Sequence, residues 1–263
     1  MAGDLVVVSM NLAGKVRIWQ LPGDMDKEDL KGISNLTATR EFTVENATGT
    51  LLKIVPPRVS GVGDVYIVVA CLDGTCSYIA TGISTPKATK DPTNAGTVIS
   101  SWSKPGVIAM SLAWHPSTKN LAVGRQDGLV EIVGEKNHRL VGSHETPVRA
   151  ISYTPDANLL VSGSDEGMIV VWDTSRSIPA MVNHVTKAHD SWILSLSMMD
   201  DSRRFVTGSA DCKLNVWSVG QMNQALHTFS CDDTVWSLAN LNDPPRLVAG
   251  SEQGGLQIYS LEP

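Results

Sequence analysis

Two stretches, VRAISYTPDANLLVSGSDEGMIVVWD (148–173) and ILSLSMMDDSRRFVTGSADCKLNVWS (193–218), align without a gap at a shift of 45 residues (148 to 193). In both, apolar residues alternate with polar ones, and small residues then mark a tight turn before a second alternating run. That pattern is expected of half-buried antiparallel strands joined by hairpins. The same strand, turn, strand, turn, strand rhythm runs through SLAWHPSTKNLAVGRQDGLVEIVG (111–134) and VWSLANLNDPPRLVAGSEQGGLQIYS (235–260). Weaker copies lie at LVVVSMNLAGKVRIW (5–19) and at TLLKIVPP with DVYIVVACLDGTCSYIA (50–57 and 64–80). Six closing strands result, ending near Trp19, Ile79, Val133, Trp172, Trp217 and Tyr259. Dividing the chain by six gives about 44 residues per unit, within the range of repeats that each build one four-stranded sheet.

The strongest copy carries His189, Thr207, Asp211 and Trp217, and its neighbour carries His144, Ser162, Glu166 and Trp172 at the same spacing. This set resembles the signature of the WD40 family. The resemblance implies an all-β propeller in which histidine, carboxylate, hydroxyl and indole form a buried chain of hydrogen bonds, one set per blade. A carboxylate in a tight turn can accept from an imidazole and from nearby amides. The alternative, a nucleophile with its base, fits poorly with a set that recurs blade after blade inside the sheets. The acid position is Gln253 and Ala13 in other repeats, and Asp127 and Asp73 keep the acid without the tryptophan, so the chain is degraded in several blades.

The whole sequence, 1–263, reads as one propeller domain. Polar, Pro- and Gly-containing insertions near 20–40 and 80–97 read as surface loops. The family has seven blades, whereas six closing strands are counted and the strands expected before Leu5 are missing. An incomplete or divergent seven-bladed ring, a truncated N-terminus, or strands supplied by a partner would each account for this.

Charge and cysteine usage narrow the function. The formal net charge is −6 with no Lys/Arg cluster, so no positive field is built for a phosphate backbone, and direct nucleic-acid binding is not expected. No apolar run approaches the roughly 18 residues of a membrane span, and no signal peptide is read. Four cysteines without a CxxC pair suit a reducing compartment, cytoplasmic or nuclear. Cys71 and Cys76 flank a turn, but no second pair has ligand spacing, and neither His115 nor His227 belongs to a cluster. No metal, cofactor or catalytic motif is expected.

In a propeller the inner strand of every blade starts at one loop-rich face. Those positions read Met110, Arg149, Trp192 with Leu194, and Trp236, a composition suited to a protein-binding hot spot. A sharper resemblance lies in AHDSWILSLSMMDDSRRFVTGSADCKLNVWSVG (188–220), ALHTF (225–229), DDTVWSL (232–238) and LQIYSLEP (256–263), reaching back to about Val107. These segments resemble the WD40 subunit of the Ski (superkiller) RNA-decay complex, shared in animals with the PAF transcription-elongation complex. The resemblance implies a non-catalytic scaffold within a hetero-oligomeric complex, holding a tetratricopeptide-repeat subunit beside an RNA helicase, with Trp192 and Trp236 on its apolar partner surface. Other readings are a WD40 adaptor, such as a ubiquitin-ligase substrate receptor or peptide reader, and, further off, a propeller hydrolase.

Overall fold

The structure is a computed structural model, and it describes residues 5–21, 38–44, 49–55, 64–84, 94–118, 120–134, 138–242 and 245–261. Every regular element among them is a strand, and the strands fall into six antiparallel meanders. Two compact units divide the chain at Ala109 and Met110.

The first unit holds a three-stranded sheet, β1 (Leu5–Met10), β2 (Lys15–Leu21) and β3 (Arg40–Thr43). Its second sheet is built from β4 (Gly49–Val55), β5 (Asp64–Cys71), β6 (Thr75–Ser84) and β7 (Val98–Ser103). Val16, Ile18, Ile67, Val69 and Ile79 are fully buried in one cluster between them. The insertion expected at 80–97 starts later than the sequence suggests. Thr81 donates its hydroxyl to the Val65 carbonyl at 2.6 Å and Ile83 is buried, so β6 runs on to Ser84. The register shift at Val65/Tyr66 and the positive φ of Gly82 mark the bulge that allows this. Likewise Gln20 and Leu21 belong to β2 and Arg40 to β3. Residues 22–37 and 85–93 lie outside those described.

The second unit holds four sheets. They are β8 (Ala109–Trp114) to β11 (His138–Ser143) through β9 (Leu121–Arg125) and β10 (Leu129–Val133); β12 (Val148–Tyr153), β13 (Leu159–Ser164), β14 (Ile169–Asp173) and β15 (Ala180–Val185); β16 (Ile193–Met198), β17 (Arg204–Ser209), β18 (Lys213–Ser218) and β19 (His227–Ser230); and β20 (Val235–Asn242), β21 (Pro245–Ser251) and β22 (Leu256–Ser260). The six closing strands expected from sequence are β2, β6, β10, β14, β18 and β22.

The inner strands β12, β16 and β20 share one device. Each carries a register shift against its neighbour, at Val148/Ala150, Ile193/Ser195 and Val235/Ser237. Each then packs its first β-branched residue onto a glycine of the blade before. A β-carbon at Gly124 would stand 2.7 Å from Val148 Cγ1, one at Gly163 2.6 Å from Ile193 Cγ2, and one at Gly208 2.5 Å from Val235 Cγ1. Real side chains do not approach so closely, so the absence of a side chain at these glycines is what lets adjacent blades meet. Between β8 and β12 the seam also carries a hydrogen bond, from Ser111 Oγ to the Val148 carbonyl at 2.7 Å. The cores on either side are continuous bands of buried aliphatics capped by Trp172 and Trp217.

This geometry predicts that Gly163→Ala and Gly208→Ala each lower stability by about 1–3 kcal/mol, the usual magnitude of overpacking. Gly220, with open space around it, is the control, and its change to alanine should stay within about 0.5 kcal/mol. Urea unfolding of the three variants measures both.

Candidate functional site

The strand starts and the β–β turns of the second unit meet along one edge of its sheets. In three blades the amide after the second strand donates to the residue just before the first: Asp165 to Pro147 at 3.0 Å, Ala210 to Trp192 at 3.0 Å and Glu252 to Thr234 at 3.1 Å. Trp192 therefore corresponds to Pro147 and Thr234. Arg149, Leu194 and Trp236 correspond to one another at the bulge.

Below this edge lies the hydrogen-bond chain of the third blade in the unit. Trp217 Nε1 donates to Thr207 Oγ1 at 3.0 Å, and Thr207 Oγ1 meets His189 Nε2 at 2.7 Å. His189 Nδ1 faces Asp211 at 3.0 Å, so the ring carries its proton on Nδ1 and accepts the threonine hydroxyl at Nε2. Asp211 also accepts the amides of Asp190 and Lys213, each at 3.0 Å. Burial works against the Asp211 carboxylate. The hydrogen bond from His189, the Asp190 amide and the Ser209 hydroxyl outweigh it, holding the carboxyl below its ordinary pKa. Thr207 is fully buried and His189 nearly so, which leaves this hydroxyl and imidazole no approach for a substrate and makes the set a structural clamp.

The preceding blade repeats only part of the chain. Trp172 Nε1 donates to Ser162 Oγ at 2.8 Å, and Ser162 meets His144 Nε2 at 2.8 Å. The longer Glu166 side chain turns toward the Ser164 hydroxyl at 3.3 Å and stays 3.7 Å from His144 Nδ1, which is buried without a hydrogen-bond partner. Burial accordingly depresses the His144 pKa to about 4. Asp127 and Asp73 accept the amides of Leu129 and Thr75 in their own turns.

Above the clamps, Trp192 and Trp236 are 47% and 50% exposed. Arg149 lays its guanidinium over the Trp192 ring, 4.7 Å from the centroid, and its Nε donates to Asp165 Oδ1 at 2.5 Å. Asp165 is thus the residue that sequence reasoning missed. Its signal was its place directly after the second strand, where its amide is pinned to Pro147 and its carboxylate faces the bulge. Met110 is half-buried. Leu194, expected on the face, is only 9% exposed, whereas Trp236 at the equivalent bulge position is 50% exposed. Cys71 and Cys76 are buried and in no disulfide. His115 Nδ1 accepts the Ser117 amide at 3.1 Å, and His227 sits exposed on β19. No group of three or more potential metal ligands occurs among the described residues.

Residues 134–173 and 181–218 match the WD40 family (WD domain, G-beta repeat). Among curated relatives, a guanine nucleotide-binding protein subunit beta of Nicotiana plumbaginifolia is 26% identical over 172 residues, covering 60% of this chain and 46% of that protein. Echinoderm microtubule-associated protein-like 2 of Homo sapiens is 28% identical over 136 residues, covering 50% and 21%. Apoptotic protease-activating factor 1 of Rattus norvegicus is 28% identical over 153 residues, covering 56% and 12%. The chain spans less than half the length of these relatives. In a crystal structure of the mitotic checkpoint complex, one chain superposes with a TM-score of 0.72 at 18% identity, covering 99% of this chain and 78% of that one. The chain therefore carries WD40 repeats on a β-propeller fold, an architecture that typically serves as a protein-interaction scaffold or adaptor.

Two outcomes follow from the clamps. Asp211→Ala removes an ionised acceptor from a buried imidazole and two amides, and should destabilise the protein by about 2–4 kcal/mol in urea unfolding. His144 titrates in the opposite sense to a stabilised cation. Because its folded pKa lies below the unfolded value of 6.5, its contribution is complete above pH 6.5 and is lost as pH falls toward 4, by roughly 3 kcal/mol in all. Glu166→Asp, which restores the acid of the neighbouring blade, should raise the His144 pKa and flatten that loss. Stability measured from pH 7.5 to 4 in both proteins tests this.

Proposed function

We propose that this chain is a non-catalytic scaffold that grips a partner protein on the face around Trp192, Arg149, Asp165 and Trp236. One observation carries the reading: a half-exposed indole is held flat by a stacked guanidinium, which is itself fixed by a carboxylate. Such an aromatic is already ordered, so a partner loses little side-chain freedom in covering it. Tryptophan and arginine are also the residues that dominate binding hot spots. Trp236 and Met110 extend the surface on the inner strands β20 and β8.

The resemblance of the C-terminal segments, reaching back to about Val107, to the WD40 subunit of the Ski complex supplies the partner class. The scaffold would hold a tetratricopeptide-repeat subunit beside an RNA helicase, in the cytoplasm or, in the transcription-associated assembly, the nucleus. Its contact with RNA would be indirect, in keeping with a net charge of −6. The test is co-purification of the tetratricopeptide subunit with the wild type, Trp192→Ala and Trp236→Ala, with melting checked for each. Loss of at least about ten-fold in affinity at unchanged stability is expected. Full retention of binding by both variants, or failure of the wild type to recover that subunit, overturns the reading.

A further inference from the structure

Cys212 occupies a position that its sister blades give to glycine. Gly128, Gly167 and Gly254 take φ of +83°, +78° and +81° at this turn, and Cys212 takes +61°. A β-carbon at Gly128 or Gly167 would stand 2.2 Å from the carbonyl oxygen of His144 or His189. Two pressures, the left-handed backbone and the facing chain, thus oppose any side chain here. The residue facing Cys212 is also a cysteine. The Cys231 amide donates to the Cys212 carbonyl at 2.8 Å, continuing the pairing of Lys213 with Ser230. Ordinary covalent lengths then keep the two α-carbons within about 6.7 Å, inside the span of about 4.4–6.8 Å that a disulfide bridges.

Cys231 has a second peculiarity. It precedes Tyr259 by 28 residues (231 to 259), as His144 precedes Trp172 (144 to 172) and His189 precedes Trp217 (189 to 217). It therefore stands where the clamp histidine stands in the two blades before it, and its sulfur takes a hydrogen bond from the Tyr259 hydroxyl at 3.1 Å. Burial, partly offset by that bond, pushes the Cys231 thiol up. Both cysteines are free and only partly buried, whereas Cys71 and Cys76 are buried.

We propose that Cys212 and Cys231 form a redox-modification site, closing reversibly into an intrachain disulfide when a hydroperoxide or a small-molecule disulfide acts on them. On the hydroperoxide route the Cys212 thiolate attacks a peroxide oxygen and cleaves the O–O bond, giving the sulfenic acid and a hydroxide or alkoxide that takes up the proton Cys212 released on ionising. The Cys231 thiol then attacks the sulfenic sulfur, the S–S bond forms, and the leaving hydroxide takes up the thiol proton as water. Each sulfur gives up one electron and the peroxide gains two. The bond ties the turn that carries Asp211 to the segment leading into Trp236.

The experiment uses the full chain, treated with hydrogen peroxide, alkylated with N-ethylmaleimide, digested and read by mass spectrometry, with a dithiothreitol-treated arm. The expected result is joint loss of alkylation at Cys212 and Cys231, a linked peptide lighter than the two separate peptides by two hydrogens, and full recovery on reduction. In Cys212→Ser the partner cysteine should stay alkylatable, whereas in Cys231→Ser oxidation of Cys212 should stop at the sulfenic acid with no linked peptide. Continued alkylation of both cysteines in the oxidised wild type, oxidation that stops at sulfenic acid, or a link between two chains would each overturn the proposal.

Discussion

The missing β-carbon at Gly124, Gly163 and Gly208 is the constraint on which the rest of the second unit depends. Neighbouring sheets meet there through Val148, Ile193 and Val235, at distances only a glycine permits. Close contact between blades buries the aliphatic bands on both sides. It also sets where each inner strand begins, and with it the bulge that carries Arg149, Leu194 and Trp236. A face assembled from strand starts on three different blades can be rigid only if the seams between those blades are.

The polar clamps act within each blade rather than between blades. His189 links the loop before β16 to the hydroxyl and indole of its own sheet and to the acid in its turn, with each donor and acceptor matched. One methylene more at Glu166 removes that match and leaves a buried nitrogen unpaired. In the last blade the imidazole is replaced by Cys231 and the indole by Tyr259, and a weaker S···H–O contact takes over. The series runs from partial to complete to substituted along the chain, and the blade with the complete clamp is the one that presents Trp192.

Much of this was legible in the sequence because periodicity of two and a period of 45 residues are both consequences of backbone geometry. The closing strands ending near Trp172 and Trp217 and the members of both clamps could be placed by spacing alone. The burial of Leu194 could not, because the equivalent bulge positions hold Arg149 and the half-exposed Trp236, so position alone does not decide exposure there. Asp165 was hidden for a related reason: its partner Arg149 lies sixteen residues away (149 to 165) and meets it only through strand pairing. The edge of β6 was misread as loop because Thr81 and Gly82 interrupt the apolar pattern, although Thr81 satisfies its hydroxyl within the sheet.

The seam itself is tested most directly by a double-mutant cycle on Gly163 and Ile193, the pair in which the glycine faces one side chain. If that approach is what requires glycine, Gly163→Ala should cost at least about 1 kcal/mol less in an Ile193→Ala background than in the wild type, because the shortened side chain vacates the space. Additive costs, within about 0.3–0.5 kcal/mol, would mean that the glycine and the facing isoleucine are independent, and would contradict the account of how the blades are joined.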